Sequence, residues 1–293
     1  MRVLITGCNG QVGSCLTKQL ANDNNTEVLA LGREHLDITN QDAVNTVITE
    51  FQPSVIINAA AHTAVDKAEE EVDLSYAINR DGPKYLAQAA QSVGAAMLHI
   101  STDYVFEGSK AGEYTESDAT NPQGVYGESK LAGEIAVAEE CDKYVILRTA
   151  WVFGESGNNF VKTMLHLGQT RDALSIVGDQ FGGPTYAGDI ASTLIQIAKC
   201  ITQGSEVEYG IYHYSGLPHV NWFDFADAIF DVAVQQKLLE RKPTLTNITT
   251  DQYPTPAKRP SNSRLSNEKI MENFSIEASD WQAALNNIQA YTG

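Results

Sequence analysis

Positive charge is scarce in this chain. Its 293 residues carry 20 lysines and arginines against 37 aspartates and glutamates, a formal net charge of −17. That balance excludes the basic footprint of a nucleic-acid binder and any attraction to an anionic membrane surface. An anionic small molecule stays open as a ligand, provided helix N-termini and a few placed cations meet it locally. Long apolar runs are missing too. None approaches the roughly 20 residues of a membrane-spanning helix, and the first strand begins too early for a signal peptide. Cysteine is sparse. Cys8, Cys15, Cys141 and Cys200 form no Cys-x-x-Cys pair, and none has a histidine at metal-ligand spacing. They read as reduced, packed thiols of a cytoplasmic protein with no metal site. Internal repeats and low-complexity tails are also absent. What remains is an ordinary globular composition, 43% hydrophobic and 19% charged, long enough for one large domain or two small ones.

The first twenty residues organise the rest. Val3, Leu4 and Ile5 form a short apolar run that breaks into Gly7-Cys8-Asn9-Gly10-Gln11-Val12-Gly13. Val12, Cys15, Leu16 and Leu20 then fall on one helical face. The pattern predicts a strand, a glycine turn and a helix. Gly7 permits the tight turn, Gly10 lets backbone approach a diphosphate, and Gly13 lets the helix pack on the strand. The spacing is GxxGxxG, so its weight comes from its place between strand and helix.

A second absence follows the next strand, Glu27 to Leu31. An NAD-binding fold often places there an acidic residue for the ribose 2′-hydroxyl. This chain has Gly32-Arg33. Arg33 suits the 2′-phosphate of NADP, which favours NADPH while leaving NADH open. Asp37 and Ile38 come next, placed to border an adenine, although Asp37 also fits a plain turn. Thr39 is the predicted cap of the following helix. Val55 to Asn58 is a buried strand that opens into Ala59-Ala60-Ala61-His62-Thr63, small residues that leave room for a flat ligand. His62 has no neighbour in sequence to orient it as a base, so it reads as a cofactor-lining or packing residue.

Glu69 to Ala77 reads as an acidic helix, followed by another to Ser92. Met97 to Ile100 is the fourth strand and Val145 to Leu147 the fifth. Strands alternating with helices predict a doubly wound, Rossmann-like parallel sheet. Beyond Gly154 the rhythm loosens, with Lys242 to Pro260 read as a long loop and Trp281 to Ile288 as a last helix. The division is residues 1–153 for dinucleotide binding, with later segments free to return to it, and 154–293 mainly for a smaller α/β substrate domain. Such a second domain would form one wall of a cleft.

The chemistry centres on Tyr126 and Lys130. Residues four apart share a helix face, and a lysine ammonium beside a phenol favours the phenolate. A phenol so tuned exchanges a proton with a carbonyl oxygen. Thr102, in Ser101-Thr102-Asp103 at the fourth strand's end, is a second donor for the same oxygen.

These motifs, with Asn58 to Glu69, Asp103-Tyr104-Val105-Phe106 and Tyr126 to Glu134, resemble the extended short-chain dehydrogenase/reductases. The closest likeness is to the branch that acts on dTDP-linked 4-keto-6-deoxyhexoses. Arg148 to Phe153, Gly157 to Phe160, Asp179 to Thr185 and Arg259-Pro260 extend the match across nearly the whole chain. The resemblance implies NADPH-dependent reduction of dTDP-4-dehydro-L-rhamnose to dTDP-L-rhamnose, a step toward surface polysaccharide. It implies that Gly10, Gln11 and Val12 hold the cofactor diphosphate, Asp37 and Ile38 the adenine region, and that Ala61, His62 and Thr63 line the cofactor. Tyr126 would be the proton donor and Lys130 would hold the nicotinamide ribose. Thr102 and Asp103 would face the sugar, with Trp151 packed on it. Arg259 is assigned to the diphosphate of the nucleotide sugar on chemistry alone. Some members bind Mg²⁺ at a dimer contact through a Glu in the first helix. Here Ser14 and Cys15 stand at those positions, poor ligands for a hard cation. A homodimer without metal stays open. Two rivals remain: another nucleotide-sugar reductase or epimerase on the same scaffold, and a regulatory subunit like methionine adenosyltransferase β. The intact Thr102, Tyr126 and Lys130 speak against the second.

Overall fold

Five strands from the first half of the chain lie side by side: β1 (Arg2–Thr6), β2 (Glu27–Leu31), β3 (Val55–Asn58), β4 (Ala96–Thr102) and β5 (Tyr144–Thr149). The computed structural model describes residues 1–292, so Gly293 of the predicted second domain lies outside the described residues. A sixth strand, Gly210–His213, joins beside β5. Every pairing is parallel, and the order is β2-β1-β3-β4-β5 followed by Gly210–His213. The order therefore reverses between β1 and β3, the place where open α/β sheets leave a crevice at their carboxyl ends.

Strand periodicity sorts the apolar residues onto the two faces. Val3, Ile5, Val55, Ile57, Leu98 and Leu147 point to one side and meet α1 (Gln11–Leu20). Leu4, Ile56, Met97 and Ile146 point to the other and meet α2 (Gln41–Phe51) and the helix Gly82–Val93. Both faces are covered, as the near-continuous apolar strands require. Between these helices the predicted helix from Glu69 to Ala77 starts later, at α4 (Val72–Tyr76), after a separate short helix α3 (Val65–Ala68), and it continues through a π-helical stretch over Ala77–Asp81 into α5 (Gly82–Val93). The cap of α2 is Asn40, whose side chain accepts from Ala43 N at 3.1 Å, and not Thr39. Thr39 instead donates to Asp37. The helix α6 (Val125–Glu140) lies behind β4 and β5. There Glu134 receives Arg148 of β5 in two bonds of 2.9 and 2.6 Å, with both side chains 2% exposed and the guanidinium 5.0 Å over the Phe106 ring.

The later half builds a second packed layer. β6 (Val152–Phe153) pairs with Thr185–Tyr186, and β7 (Ala173–Val177) pairs in parallel with Thr244–Ile248. The stretch expected as a loop from Lys242 to Pro260 thus contains a strand, whose apolar anchors are too few to show in the sequence. α7 (Phe160–Thr170) and Trp222–Gln235 pack around Phe153, Phe225, Phe230 and Trp281. The final helix stops at Leu285 and gives way to a 3₁₀ turn over Ile288–Tyr291. Three later segments leave this layer. The helix α8 (Ala187–Thr202) and the strand Gly210–His213 contribute Ile190, Leu194 and Tyr212 to the core of the parallel sheet. Ile270 and Phe274 join them there.

Candidate active site

The cofactor cradle is built by backbone. Gly7 sits at φ +70°, and a Cβ on it would stand 2.6 Å from Ala60 N. A Cβ on Gly13 would stand 2.1 Å from Gly7 O, so α1 reaches the end of β1 only because neither residue has a side chain. Gly10 N closes the turn on Gly7 O at 3.0 Å. Gly10 is also the N-cap of α1 and supplies no side-chain bond to it. The first-turn N–H groups are therefore left for an anion, which is what a dinucleotide diphosphate needs. Asn58 locks the neighbouring strand end, accepting from Thr6 Oγ1 at 2.7 Å and from Ala60 N at 3.1 Å. The residues present fit a dinucleotide.

After β2, Asp37 accepts from Thr39 N and Thr39 Oγ1, bonds that together with the nearby Arg33 charge hold its carboxyl below the usual range. Ile38 is buried against Gly82. Arg33 is exposed just after β2. Ala61 is half-buried, and Thr63 is exposed on the cleft. His62, which has no orienting neighbour in sequence, is held by residues further along the chain. Its Nδ1 meets Ser75 Oγ at 2.9 Å and its Nε2 meets Glu71 at 3.1 Å. Its backbone N–H donates to Asn79 Oδ1 at 2.8 Å. The partners come from α4 and the π-turn, whose approach no local pattern announces. A ring pinned on both nitrogens suits packing better than proton transfer.

Tyr126 enters from the first turn of α6 and meets Thr102 at the end of β4. Burial pushes its phenol up, partly offset by the hydrogen bond with Thr102. This corrects the expectation of a phenol tuned downward. Lys130 does share its helix face, but its ammonium donates to Ile100 O at 2.7 Å. Burial pushes that lysine down to about 8. Thr102 Oγ1 donates to Asp103 Oδ1 at 3.0 Å and accepts from Tyr104 N at 3.2 Å. Asp103 is buried, and loss of water raises its carboxyl to about 6 against the bonds from Ser263 and Thr102.

A cleft of about 830 Å³ opens beside these residues, between the parallel sheet and the second layer. Trp151, Phe160, Met164 and Arg259 are among its walls. Tyr126 lines a small recess that shares Tyr104 and Arg259 with the cleft. Trp151 is held at φ +50°, a strained conformation for a bulky residue. Its ring stacks on Trp222 with centroids 3.5 Å apart and planes 11° apart. Arg259 Nη2 bonds Asp66 at 2.6 Å, and Asp66 also accepts from Ala257 N. Tyr104, Trp222, Asp66 and Asn159 are site residues that the sequence reading did not single out. Tyr104 was within reach, since it follows Asp103 in the quoted motif. Trp222 was not, because its contact with Trp151 joins distant segments.

The whole arrangement matches known proteins. The family model described as the RmlD substrate binding domain matches residues 1–292. A dTDP-4-dehydrorhamnose reductase from Aggregatibacter actinomycetemcomitans is 57% identical over 290 residues, covering 99% of each chain. The crystal structure of a dTDP-4-dehydrorhamnose reductase from Clostridium acetobutylicum superposes with a TM-score of 0.90 at 44% identity, covering 99% of this chain and 98% of that one. The enzyme of the same name from Bacillus anthracis, solved in complex with NADP, gives 0.91 at 38% identity over 98% of both chains. With its glycine turn between β1 and α1, its Tyr126 and Lys130 on one helix, and its full-length likeness to these enzymes, the chain belongs to the dTDP-4-dehydrorhamnose reductase family.

Proposed function

We propose that this protein reduces the 4-keto group of dTDP-4-dehydro-L-rhamnose to dTDP-L-rhamnose, using NADPH, in the cytoplasm. The observation that carries the reading is Tyr126 on the first turn of α6, lining a recess that shares Val65, Tyr104 and Arg259 with the large cleft, with Lys130 buried on the same helix and Thr102 buried at the end of β4. NADPH, when bound, supplies the hydride to the carbonyl carbon.

The chain's residues do the rest. Gly10, Gln11 and Val12 present the first turn of α1 to the diphosphate, and Arg33 meets the 2′-phosphate. Tyr126 gives its proton to the carbonyl oxygen as the charge on that oxygen develops. A phenol raised by burial is a weak acid in the resting site, so it keeps its proton until the oxyanion forms. Lys130 uses one of its three N–H donors on Ile100 O, which leaves two for the nicotinamide ribose. Its charge favours the phenolate left behind. Thr102 turns its proton from Asp103 to the carbonyl and fixes the ketone against Tyr126. Trp151 and Trp222 offer an apolar wall to the C–H surface of a deoxysugar. Arg259 exchanges Asp66 for the sugar-nucleotide diphosphate.

A coupled assay tests the reading. Purified protein, NADPH, dTDP-4-keto-6-deoxyglucose and the 3,5-epimerase should give steady loss of absorbance at the NADPH band, and none without the sugar nucleotide. No consumption in the complete mixture would reject the reductase and favour a regulatory role.

A further inference from the structure

The amide of Asn159 joins the first turn of α1 to the wall of the cleft. Asn159 is the N-cap of α7, and its Oδ1 accepts from Lys162 N at 3.1 Å. Its Nδ2 donates to Gly154 O at 2.7 Å and to Gln11 Oε1 at 3.1 Å. One side chain thus ties together three segments: the loop after β6, the start of α7 and the first residue of α1. The loop is folded closely around Gln11. Gly157, at φ +69°, lies so near that a Cβ there would stand 3.3 Å from Gln11 Cγ. Phe160, Thr163, Met164 and Leu167 of α7 all face the cleft.

We propose that Asn159 is a positioning residue that couples binding of the dinucleotide to binding of the nucleotide sugar. The inference rests on the function proposed above. An anion on the first-turn N–H groups of α1 fixes the backbone of Gln11, because those groups are the ones it uses. With the Gln11 backbone held, its side-chain Oε1, packed along the turn at Gly157 and bonded to Asn159 Nδ2, has fewer places to go. Asn159 then has one arrangement that satisfies Gln11, Gly154 and Lys162 together, and that arrangement sets where α7 begins. The wall of the cleft is thereby ordered before the sugar arrives, so the second ligand has less freedom left to remove. Linkage makes the effect reciprocal: the sugar nucleotide must tighten the cofactor by the same factor.

The test is calorimetry of the whole protein with dTDP as the probe, with and without saturating NADPH. Wild-type protein should bind dTDP more tightly in the presence of NADPH, by about 5-fold or more, the lower end of common coupling factors. Asn159→Ser keeps a cap for α7 but cannot reach Gln11, and its coupling factor should fall toward one. Gln11→Leu removes the acceptor and leaves Asn159 in place, and should do the same. In the double variant the two losses should not add. This second variant also carries the test if Asn159→Ser does not fold. Equal dTDP affinity with and without NADPH in wild type overturns the proposal, and so does a wild-type factor retained in either variant. The coupled assay on the same wild-type preparation separates the two claims. An active enzyme with uncoupled ligands sinks only Asn159's role, whereas a protein that neither turns over nor binds dTDP sinks the reductase reading.

Discussion

The ammonium of Lys130, buried in α6, donates to the backbone carbonyl of Ile100 in β4 at 2.7 Å. The bond holds a cation where there is almost no water, and burial lowers the lysine from 10.5 to about 8. The unfolded chain binds this proton more tightly than the folded one. The folded state is therefore penalised below pH 8, and the penalty is relieved as pH climbs from 8 toward 10.5. Lys130→Met should abolish turnover, and its stability relative to wild type should be greatest at pH 6 to 7, where the relieved charge burial is set against the lost bond to Ile100 O. That relative stability should fall steadily above pH 8. Thermal denaturation of both proteins across pH 6 to 10 measures this, and a difference independent of pH would remove the charge from the explanation.

Tyr126→Phe takes away one proton and little volume. Turnover in the coupled assay should fall by about 10²–10⁴, the usual worth of a placed general acid. NADPH affinity, read by fluorescence titration, should change by less than about twofold, because the variant leaves the α1 cradle intact. Wild-type rates in the variant would show that the proton comes from elsewhere.

Arg33 stands exposed after β2, followed by Glu34, whose carboxylate accepts from Asn9 of the glycine turn at 3.1 Å. Arg33→Ala should weaken NADPH by about tenfold, the worth of one charge-assisted contact of about 1.5 kcal/mol, and leave NADH nearly unchanged. Titration with both cofactors decides it, and an equal loss for the two would move the 2′-phosphate contact to another residue.

Glu134 and Arg148 are a buried, bidentate pair. Removing one partner strands the other's charge. Glu134→Ala should cost about 3–5 kcal/mol of stability, whereas the double replacement Glu134→Leu with Arg148→Met should cost much less. Urea midpoints of the three proteins give the comparison, and a double variant as unstable as the single one would mean the pair contributes through shape alone.

The sequence showed best what is local and periodic. The turn at Gly7, Gly10 and Gly13, the apolar β3 and the helix bearing Tyr126 and Lys130 each follow from neighbours within a few residues. The strands at Val3, Ile56 and Leu98 announced a covered parallel sheet in the same way. What stayed hidden depends on distance along the chain. His62 finds Ser75 and Glu71 only after α4 turns back. Lys130 shares a face with Tyr126, as spacing required, yet spends a donor on Ile100 O of β4, which lies within reach of its buried ammonium. Spacing gives which groups can meet, but not how much water is removed when they do. That is why the phenol was expected to titrate lower, whereas burial drives it higher. Trp222 and the strand Thr244–Ile248 carry too little periodic signal to be found without their partners.

The strand Gly210–His213 borders β5 and is laid down some sixty residues after it in the chain. On a translating ribosome, the amino-terminal half emerges with that edge bare. It also lacks α8, which covers one side of the sheet. An edge and a side bare of their cover invite pairing with other nascent chains. Folding of the amino-terminal half must therefore wait for segments well past the midpoint. Stop codons or split sites placed between β5 and His213 should yield insoluble fragments rather than a free-standing cofactor-binding module.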